Sequence, residues 1–431
     1  MVECRLDWSG PNPDRPTLST NIVPDTTTLI PASQQRPGDD PIFALNAEAQ
    51  ARAARGEDVL NATLGALFDD EGQLAVIDTV HESLHAVPKQ VAAAYAPIRG
   101  ARAFLDGVID DLVQGTKLEG LGVAAATPGG TGALYEGIAN FLEPGQALLT
   151  SSYYWSPYKI LADHGRRTVE TFRMFDESGG FDVDDLERAA TRLMDTQGRL
   201  FLILNSPCHN PTGFSLDEDE YARVGDALER LAERGPVTVL LDLAYEKFRN
   251  PNSASWQPFA ERLMGKVQVL AAWTASKAFT QYGGRVGAIV AFHPEADERA
   301  RLENAIGYTC RGTWSNCNHL GMQAVARILN DSELRARADA ERDAFFRLLD
   351  SRVSAFNEHA LGRGLKYPRY EGGFFVSVFT DDPFGVVERA KADGVFLVPL
   401  QGAVRVALCA TPVAQVERLV DSLGRALEAT A

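Results

Sequence analysis

The sequence predicts an α/β protein whose larger domain holds a mostly parallel sheet between two layers of helices. From about residue 100, segments of helical periodicity alternate with short apolar runs. Two of these runs, 200–204 and 237–241, are apolar at almost every position, which is typical of strands buried on both faces of a parallel sheet. The ligand of such a sheet should bind beyond the carboxyl ends of the strands.

The individual elements follow from periodicity and from helix-ending residues. Residues 1–40 are rich in Pro, Thr, Ser and Asp and show no periodicity, so we expect an extended or disordered N-terminal arm. A short amphipathic helix should run from Pro41 to about Gly56. The helices predicted next cover 102–113, 132–142, 156–163, 183–195, 216–234, 294–307 and 317–330. The strands predicted between them cover 147–151, 168–174, 200–205, 237–242, 267–273 and 286–292.

A second, smaller α/β domain is predicted from the two ends of the chain. The long charged helical stretch 332–359 returns the chain to the N-terminal side. The strand and helix segments predicted after it cover 374–379, 383–393, 396–400, 404–409 and 413–428. We therefore expect a large domain over 76–331 and a small domain made of 41–75 and 332–431.

The charge balance and the cysteine count exclude several classes of partner and location. The 431 residues include 42 Lys and Arg against 58 Asp and Glu, a formal charge of −16, whereas nucleic acids and anionic membranes select basic surfaces. No apolar run approaches the ~20 residues that cross a bilayer, and residues 1–15 lack the apolar core of a secretory signal. Five dispersed cysteines without a CxxC pair predict neither a disulfide framework nor structural zinc, and favour a reducing cytoplasm.

Polar motifs stand where predicted strands end or helices begin. The segment 129–134 (GGTGAL) opens a helix, and 205–213 (NSPCHNPTG) follows a strand. The segments 242–245 (DLAY) and 274–277 (TASK) each end a strand, and Arg285 comes eight residues after the last of them. Each motif alone is a weak signal. Because parallel strands end at one edge of their sheet, we expect these motifs to converge there.

Together these side chains supply what the ring of pyridoxal phosphate requires. Lys277 offers the amine that forms an imine with the cofactor. Asp242 offers the acid that keeps the pyridine nitrogen protonated, so that the ring can accept electrons from the substrate. Tyr245 and Asn210 offer hydrogen-bond donors to the phenolic oxygen, which lower the pKa of the imine.

The phosphate of this cofactor needs a site for a dianion. The helix that begins around Gly130 and Thr131 offers backbone N–H groups and a favourable dipole. Arg285, Thr274 and Ser276 add a positive charge and two hydroxyl groups.

The order of these motifs resembles the fold-type I aminotransferases, most closely the aspartate and aromatic aminotransferase subfamily. The resemblance extends over nearly the whole chain from Asp40, whose segment 40–46 (DPIFALN) matches the first helix of that subfamily. It implies that Gly65, in the loop 61–72, approaches the substrate and that Trp155 stacks on the cofactor ring.

The resemblance also implies substrate contacts and a two-fold homodimer with shared sites. Phe375 would line the substrate, and Arg405 would clamp its α-carboxylate with two parallel hydrogen bonds. Tyr95 matches a tyrosine that reaches the partner subunit's phosphate. Arg311, followed by Ser315, matches an arginine that reaches across the dimer to the distal group of the substrate.

Two positions depart from the pattern of the subfamily. Gly129 stands where the first residue of the phosphate site is usually Ser, and Tyr158 stands where the aspartate enzymes have a His behind the pyridinium carboxylate. These departures weaken the transfer of aspartate specificity but leave the cofactor assignment unchanged.

The implied activity is a pyridoxal-phosphate-dependent transfer of an amino group from an L-amino acid to a 2-oxo acid, with Lys277 as Schiff-base lysine and general base. Arg311 favours an acidic substrate, whereas Phe374, Phe375 and Trp314 favour an aromatic one. An alternative stays open. The same chemistry could eliminate or replace a group at the β- or γ-carbon, with C–C bond formation, for example on S-adenosylmethionine or a homoserine derivative.

One competing motif points to a metal instead. Residues 81–85 (HESLH) match the HExxH pattern of zinc proteases. The two histidines lie just beside an apolar helical stripe, however, and nothing identifies a third ligand. We therefore expect a solvated helix face and no metal.

Overall fold

A computed structural model describes residues 27–34, 36–38 and 41–429. The expected N-terminal arm, residues 1–40, falls largely outside the described residues, as does Asp40. The helices are α1 (Pro31–Gln34), α2 (Pro41–Ala54), α3 (Asp78–His85), α4 (Lys89–Ala93), α5 (Arg102–Val113), α6 (Gly129–Phe141), α7 (Pro157–His164), α8 (Val183–Gln197), α9 (Glu218–Ala232), α10 (Gln257–Leu263), α11 (Ala275–Ala278), α12 (Ala296–Thr313), α13 (His319–Asn330), α14 (Ser332–Gly362), α15 (Pro383–Ala392) and α16 (Val416–Glu428). The strands are β1 (Leu60–Asn61), β2 (Gly122–Pro128), β3 (Ala147–Ser151), β4 (Thr168–Phe172), β5 (Leu200–Leu204), β6 (Val237–Asp242), β7 (Gln268–Thr274), β8 (Val286–Phe292), β9 (Phe375–Phe379), β10 (Val395–Phe396), β11 (Val398–Leu400) and β12 (Ala403–Ala407).

The central sheet has seven strands in the order β2-β8-β7-β6-β5-β3-β4. The pairs from β7 to β4 are parallel, and β8 is antiparallel to both of its neighbours. Every residue of β5, β6 and β8 is buried, because apolar helices cover both faces of the sheet. The predicted α/β class with a mostly parallel, helix-covered sheet is confirmed.

The edge strand β2 is the main element that periodicity did not predict. Its sequence, GVAAATP, contains three consecutive alanines, and alanine favours helices. The segment is nevertheless a strand because it pairs along its whole length with β8, and small side chains fit between the sheet and the helices. The helix α12 also extends six residues beyond its predicted end, to Thr313.

A smaller three-stranded sheet, in the order β11-β12-β9, packs within a second apolar core. That core draws its side chains mainly from the segments 60–75 and 349–426. The division into a large domain over 76–331 and a small domain of 41–75 and 332–431 stays a prediction. None of the described helices is long and apolar enough to span a bilayer.

The buried carboxylate of Asp111 joins α5 to Lys247, to α14 and to β7. It forms ion pairs with Lys247, at 3.1 Å, and with Arg335 on α14, and it accepts a hydrogen bond of 3.0 Å from the indole of Trp273 on β7. Burial raises the pKa of Asp111, but the charges of Lys247 and Arg335 outweigh that effect and hold the pKa below its usual value.

We predict that Asp111→Asn lowers the free energy of unfolding by about 3 kcal/mol, because two partly buried cations lose the buried anion that they share and keep only their pairs with Glu246 and Asp339. The folded-state pKa lies below the unfolded one, so this stabilisation is present above the unfolded pKa and is lost as the pH falls. Urea unfolding at neutral and acidic pH measures both effects.

The matched control is Asp106→Asn on the same helix. Its carboxylate is exposed and forms an ion pair with the exposed Arg102, so the loss should stay within about 0.5 kcal/mol. Equal losses in the two variants would contradict the role assigned to Asp111.

Candidate active site

Parallel strand ends bring the predicted polar residues to one edge of the central sheet. Asp242 is the last residue of β6, and its neighbour in the register is Ala272 on β7. Two residues further, Thr274 ends β7 and caps the short helix α11, which carries Lys277. The strand register therefore places the carboxyl and the amine at adjacent strand ends, as the sequence predicts.

Lys277 lies in a pocket of aromatic rings. Its Nζ donates a hydrogen bond of 2.9 Å to the carbonyl of Gly65, and it lies 4.6 Å from the ring centroid of Tyr282 and 5.7 Å from that of Tyr245. Burial lowers the pKa of Lys277 to about 8, and the nearby charge of Arg285 acts in the same direction. A substantial fraction of this amine is therefore neutral near physiological pH.

Asp242 is 6% exposed and is held from two sides. The hydroxyl of Tyr158 donates a hydrogen bond of 2.6 Å to Oδ2, and the backbone N–H of Ala244 donates one of 3.2 Å to Oδ1. Burial raises the pKa of Asp242, whereas both hydrogen bonds and the charge of Lys277 oppose that rise. Tyr158 has a pKa well above its usual value, mainly through burial, so it acts as a proton donor to the carboxylate at all moderate pH values.

A cradle with a positive charge forms where α6 begins. Gly129, at φ +70°, starts the helix, and a Cβ at this position would lie 2.5 Å from Nη2 of Arg285. The hydroxyl of Thr274 donates to Ser276 at 3.0 Å, and Nη1 of Arg285 donates to the same Ser276 hydroxyl at 3.5 Å. Residues with a side chain rarely adopt a φ of +70°, so the backbone favours glycine at this position.

These residues fit the phosphate of pyridoxal phosphate. Backbone N–H groups at the start of α6, around Gly130 and Thr131, lie beside a guanidinium and two hydroxyls, the donor set that binds dianions. The buried carboxylate of Asp242 suits the pyridine nitrogen of the ring, and the amine of Lys277 suits the carbon that forms the imine.

The residues predicted to bind the substrate form a second cluster on the small sheet. Arg405 on β12 is buried, its Nη2 donates a hydrogen bond of 2.7 Å to the carbonyl of Thr63, and its guanidinium carbon lies 4.4 Å from the ring centroid of Phe375 on β9. Gly65 faces the same ring, because a Cβ there would lie 2.7 Å from Cζ of Phe375. Through its carbonyl, Gly65 links this cluster to Lys277.

The remaining ring-side residues also lie at this edge. The backbone N–H of Asn210 donates a hydrogen bond of 2.7 Å to the side chain of Asn205, which in turn donates one of 2.8 Å to the carbonyl of Asp242. Trp155 is half-buried, and its ring meets that of Tyr158 edge to face, with 5.8 Å between centroids. Tyr245 is buried.

Two predicted site residues lie elsewhere on the protomer surface. Tyr95 is 91% exposed. Arg311 is also exposed, and its Nη1 donates a hydrogen bond of 2.7 Å to the hydroxyl of Ser315. Within the described part of one chain, no hydrogen bond links either residue to Lys277 or Asp242.

Sequence reasoning missed two side chains of the site. The hydroxyl of Tyr282 accepts a hydrogen bond of 2.9 Å from the backbone N–H of Leu67 and thereby ties the substrate loop to the segment after Lys277. Cys409 is buried, and its thiol donates to the carbonyl of Leu64 at 3.4 Å. Tyr282 lies between Lys277 and Arg285 in the sequence, and this position could have identified it as a site residue.

The HExxH motif, residues 81–85, lies on α3. The rings of His81 and His85 are 6.4 Å apart at their centroids, and Glu82 forms an ion pair with Arg337. Among the described residues, no group of three or more His, Cys, Asp or Glu side chains could hold a metal ion. That the protein uses no metal stays a prediction.

Comparison with known sequences agrees with this geometry. The family model "Aminotransferase class I and II" matches residues 57–423. An aspartate aminotransferase from Pseudomonas aeruginosa is 30% identical over 389 residues, which cover 86% of this chain and 93% of the relative. An aromatic-amino-acid aminotransferase from Paracoccus denitrificans is 29% identical over 315 residues, covering 71% and 76%. These relatives favour transamination over the alternative of elimination or replacement.

Comparison with solved structures finds aminotransferases with the same fold. An aminotransferase from Anaerococcus prevotii superimposes with a TM-score of 0.89 at 30% identity, covering 93% of this chain and 99% of the other. An aromatic-amino-acid aminotransferase from Burkholderia pseudomallei, covalently bound to pyridoxal phosphate, shares the fold with a TM-score of 0.76 at 23% identity, covering 91% and 98%. With a family match over most of its length, this chain belongs to the class I and II aminotransferases, which depend on pyridoxal phosphate.

Proposed function

We propose that the protein transfers the amino group of an acidic or aromatic L-amino acid to a 2-oxo acid. One observation carries this proposal: β6 and β7 place Asp242 and Lys277 at adjacent strand ends, and Gly65 joins Lys277 to the cluster of Arg405 and Phe375. The relatives are named for aspartate and for aromatic amino acids, which supports both substrate classes.

Lys277 would hold the cofactor covalently and later move the substrate's α-proton. When bound, pyridoxal phosphate accepts the electron pair that the α-carbon gives up as this proton leaves. A pKa of about 8 suits Lys277 to both tasks, because its neutral amine is a nucleophile and a base near physiological pH.

Asp242 would hold a proton on the ring nitrogen. The hydroxyl of Tyr158 and the N–H of Ala244 stabilise the ionised carboxylate against the cost of burial. Tyr245 and Asn210 would bind the phenolic oxygen, and Trp155 would cover the ring. Gly130, Thr131, Thr274, Ser276 and Arg285 would bind the phosphate.

Arg405 would orient the substrate by its α-carboxylate. The carbon of its guanidinium lies 4.4 Å from the ring centroid of Phe375, and a guanidinium can form two parallel hydrogen bonds with a carboxylate. This geometry would direct the α-carbon towards Lys277.

The assembly we propose is a two-fold homodimer in the cytoplasm. Tyr95 is 91% exposed, and two further large apolar side chains, Ile98 and Tyr308, are also exposed. In a dimer, Tyr95 would reach the phosphate and Arg311 the distal group of the substrate in the other subunit's site. Arg311 would then select acidic substrates.

A screen of L-amino acids tests the proposed function. The holoprotein is mixed with single amino acids in the presence of 2-oxoglutarate or oxaloacetate, and the new 2-oxo acid is identified by mass spectrometry. We expect turnover with acidic or aromatic donors. Elimination products in place of a 2-oxo acid would contradict the proposal.

We predict that Lys277→Ala abolishes both the covalent attachment of the cofactor and turnover, because alanine has no amine that could form the imine. Intact-mass measurement after borohydride reduction detects the attachment. Lys266→Ala, at an exposed ion pair with Glu229, should leave both unchanged.

We predict that Arg405→Ala raises the KM for amino donors about 100-fold, the effect of losing a bidentate charged contact. Arg405→Lys should recover only part of this loss, because a single ammonium cannot form two parallel hydrogen bonds. Steady-state kinetics measures KM, and an unchanged KM in Arg405→Ala would remove Arg405 from the carboxylate role.

We predict that Tyr158→Phe weakens the binding of pyridoxal phosphate to the apoprotein about ten-fold, because the buried carboxylate loses a charged hydrogen bond. Tyr154→Phe is the control, since that neighbouring ring stacks on Tyr158 at 6.2 Å without bonding to Asp242. Fluorescence titration of the apoproteins with the cofactor compares the two affinities.

A further inference from the structure

A buried acid on α6 has no part in the chemistry described so far. Glu136 is 0% exposed and lies two turns after the start of the helix. The thiol of Cys310 on α12 donates a hydrogen bond of 3.2 Å to Oε1, and the side-chain amide of Asn140 donates one of 3.0 Å to Oε2. The polar partners of this carboxyl are therefore a thiol and an amide.

The same group of side chains joins α6 to the last turns of α12. The amide oxygen of Asn140 accepts a hydrogen bond of 3.0 Å from the hydroxyl of Thr309. One turn further, Trp314 meets the ring of Tyr135 edge to face, with 6.5 Å between centroids. Glu136 thus lies at the centre of the contact between the two helices.

The end of α12 carries Arg311, the residue next to Cys310. After the helix the backbone turns back, because the N–H of Ser315 donates a hydrogen bond of 2.8 Å to the carbonyl of Cys310 and Ser315 has a φ of +66°. The hydroxyl of Ser315 then accepts the hydrogen bond of Arg311. Adjacent helical residues point about 100° apart, so fixing Cys310 inwards fixes the outward direction of Arg311.

Burial favours the uncharged form of Glu136. Burial raises its pKa to about 8, and the hydrogen bonds from Cys310 and Asn140 offset only part of that rise. Burial raises the pKa values of Cys310 and Cys317, so both stay thiols at neutral pH. The link between α6 and α12 is therefore made by hydrogen bonds between uncharged groups.

We propose that Glu136 is a positioning residue for Arg311. By binding Cys310 directly and Thr309 through Asn140, it fixes the last turn of α12 and with it the preference for substrates that carry a distal carboxylate. This inference rests on the proposed function of Arg311. It assigns substrate selection to a side chain buried away from the substrate.

The first test measures the contact without any need for activity. Wild type, Glu136→Ala and Glu136→Gln, all as holoprotein, are treated with iodoacetamide, and the alkylation rate of Cys310 is followed by peptide mass spectrometry. We expect Glu136→Ala to react about ten-fold faster, because the buried thiol loses its shorter hydrogen bond and is left with a contact of 3.7 Å to the carbonyl of Ala126. Glu136→Gln should stay within about two-fold of wild type, since glutamine can accept from Asn140 and donate to the sulfur. Equal rates in all three proteins would overturn the proposal.

The second test measures substrate choice. In Glu136→Ala we expect the ratio of kcat/KM for aspartate to that for phenylalanine to fall about ten-fold through KM for aspartate, with Glu136→Gln restoring it. An unchanged ratio in Glu136→Ala would overturn the role in specificity. A wild type without transamination would instead refute the proposed function, and the alkylation test would still judge the contact.

A second pair of variants keeps the test decisive if Glu136→Ala does not fold. Cys310→Ala removes the other side of the contact and should lower the same ratio. Cys317→Ala, whose thiol donates to the carbonyl of Ala126, is the matched control and should leave the ratio unchanged. Equal ratios in the two cysteine variants would overturn the proposal.

Discussion

The site depends on the burial of a lysine and an aspartate at neighbouring strand ends. Burial drives the two groups towards neutrality, lowering the pKa of Lys277 to about 8 and raising that of Asp242. Hydrogen bonds from Tyr158 and Ala244 support the carboxylate form of Asp242 against this effect. The amine of Lys277 lies among aromatic rings and donates a hydrogen bond to the carbonyl of Gly65. The result is a carboxyl whose ionised form is supported by two hydrogen bonds and, at the adjacent strand end, an amine that is readily deprotonated.

The scaffold supports this arrangement through its parallel register and through buried polar links between elements. Pairing of β6 with β7 sets Asp242 beside the strand that leads to Lys277. Asp111 ties α5 and α14 to the far side of β7 through Trp273. Glu136 performs a comparable task between α6 and α12 as a neutral acid. Asp111, which is surrounded by cations, has a lowered pKa and keeps its charge. Glu136, which is surrounded by a thiol and an amide, has a raised pKa that favours its uncharged form.

Particular elements show why sequence reasoning succeeded or failed. The strands β5 and β6 were predictable because residues buried on both faces must be apolar throughout. The strand β2 was not, because its alanines are strand residues only through pairing with β8. Gly129 departs from the pattern of the subfamily, and its φ of +70° favours glycine, which no local sequence pattern indicates. Glu136 carried no local signal, since its partner Cys310 lies 174 residues away.

By itself the sequence determined the fold class, the cofactor chemistry and the order of Asp242, Lys277 and Arg285, because strand burial and reactive side chains leave local patterns. The tertiary structure alone decided how these groups are tuned. The Tyr158 hydrogen bond, the Phe375 ring against Arg405 and the Glu136 contact all join residues distant in the chain. A pKa or a side-chain direction depends on what surrounds a group in space, and only the folded chain brings those surroundings together.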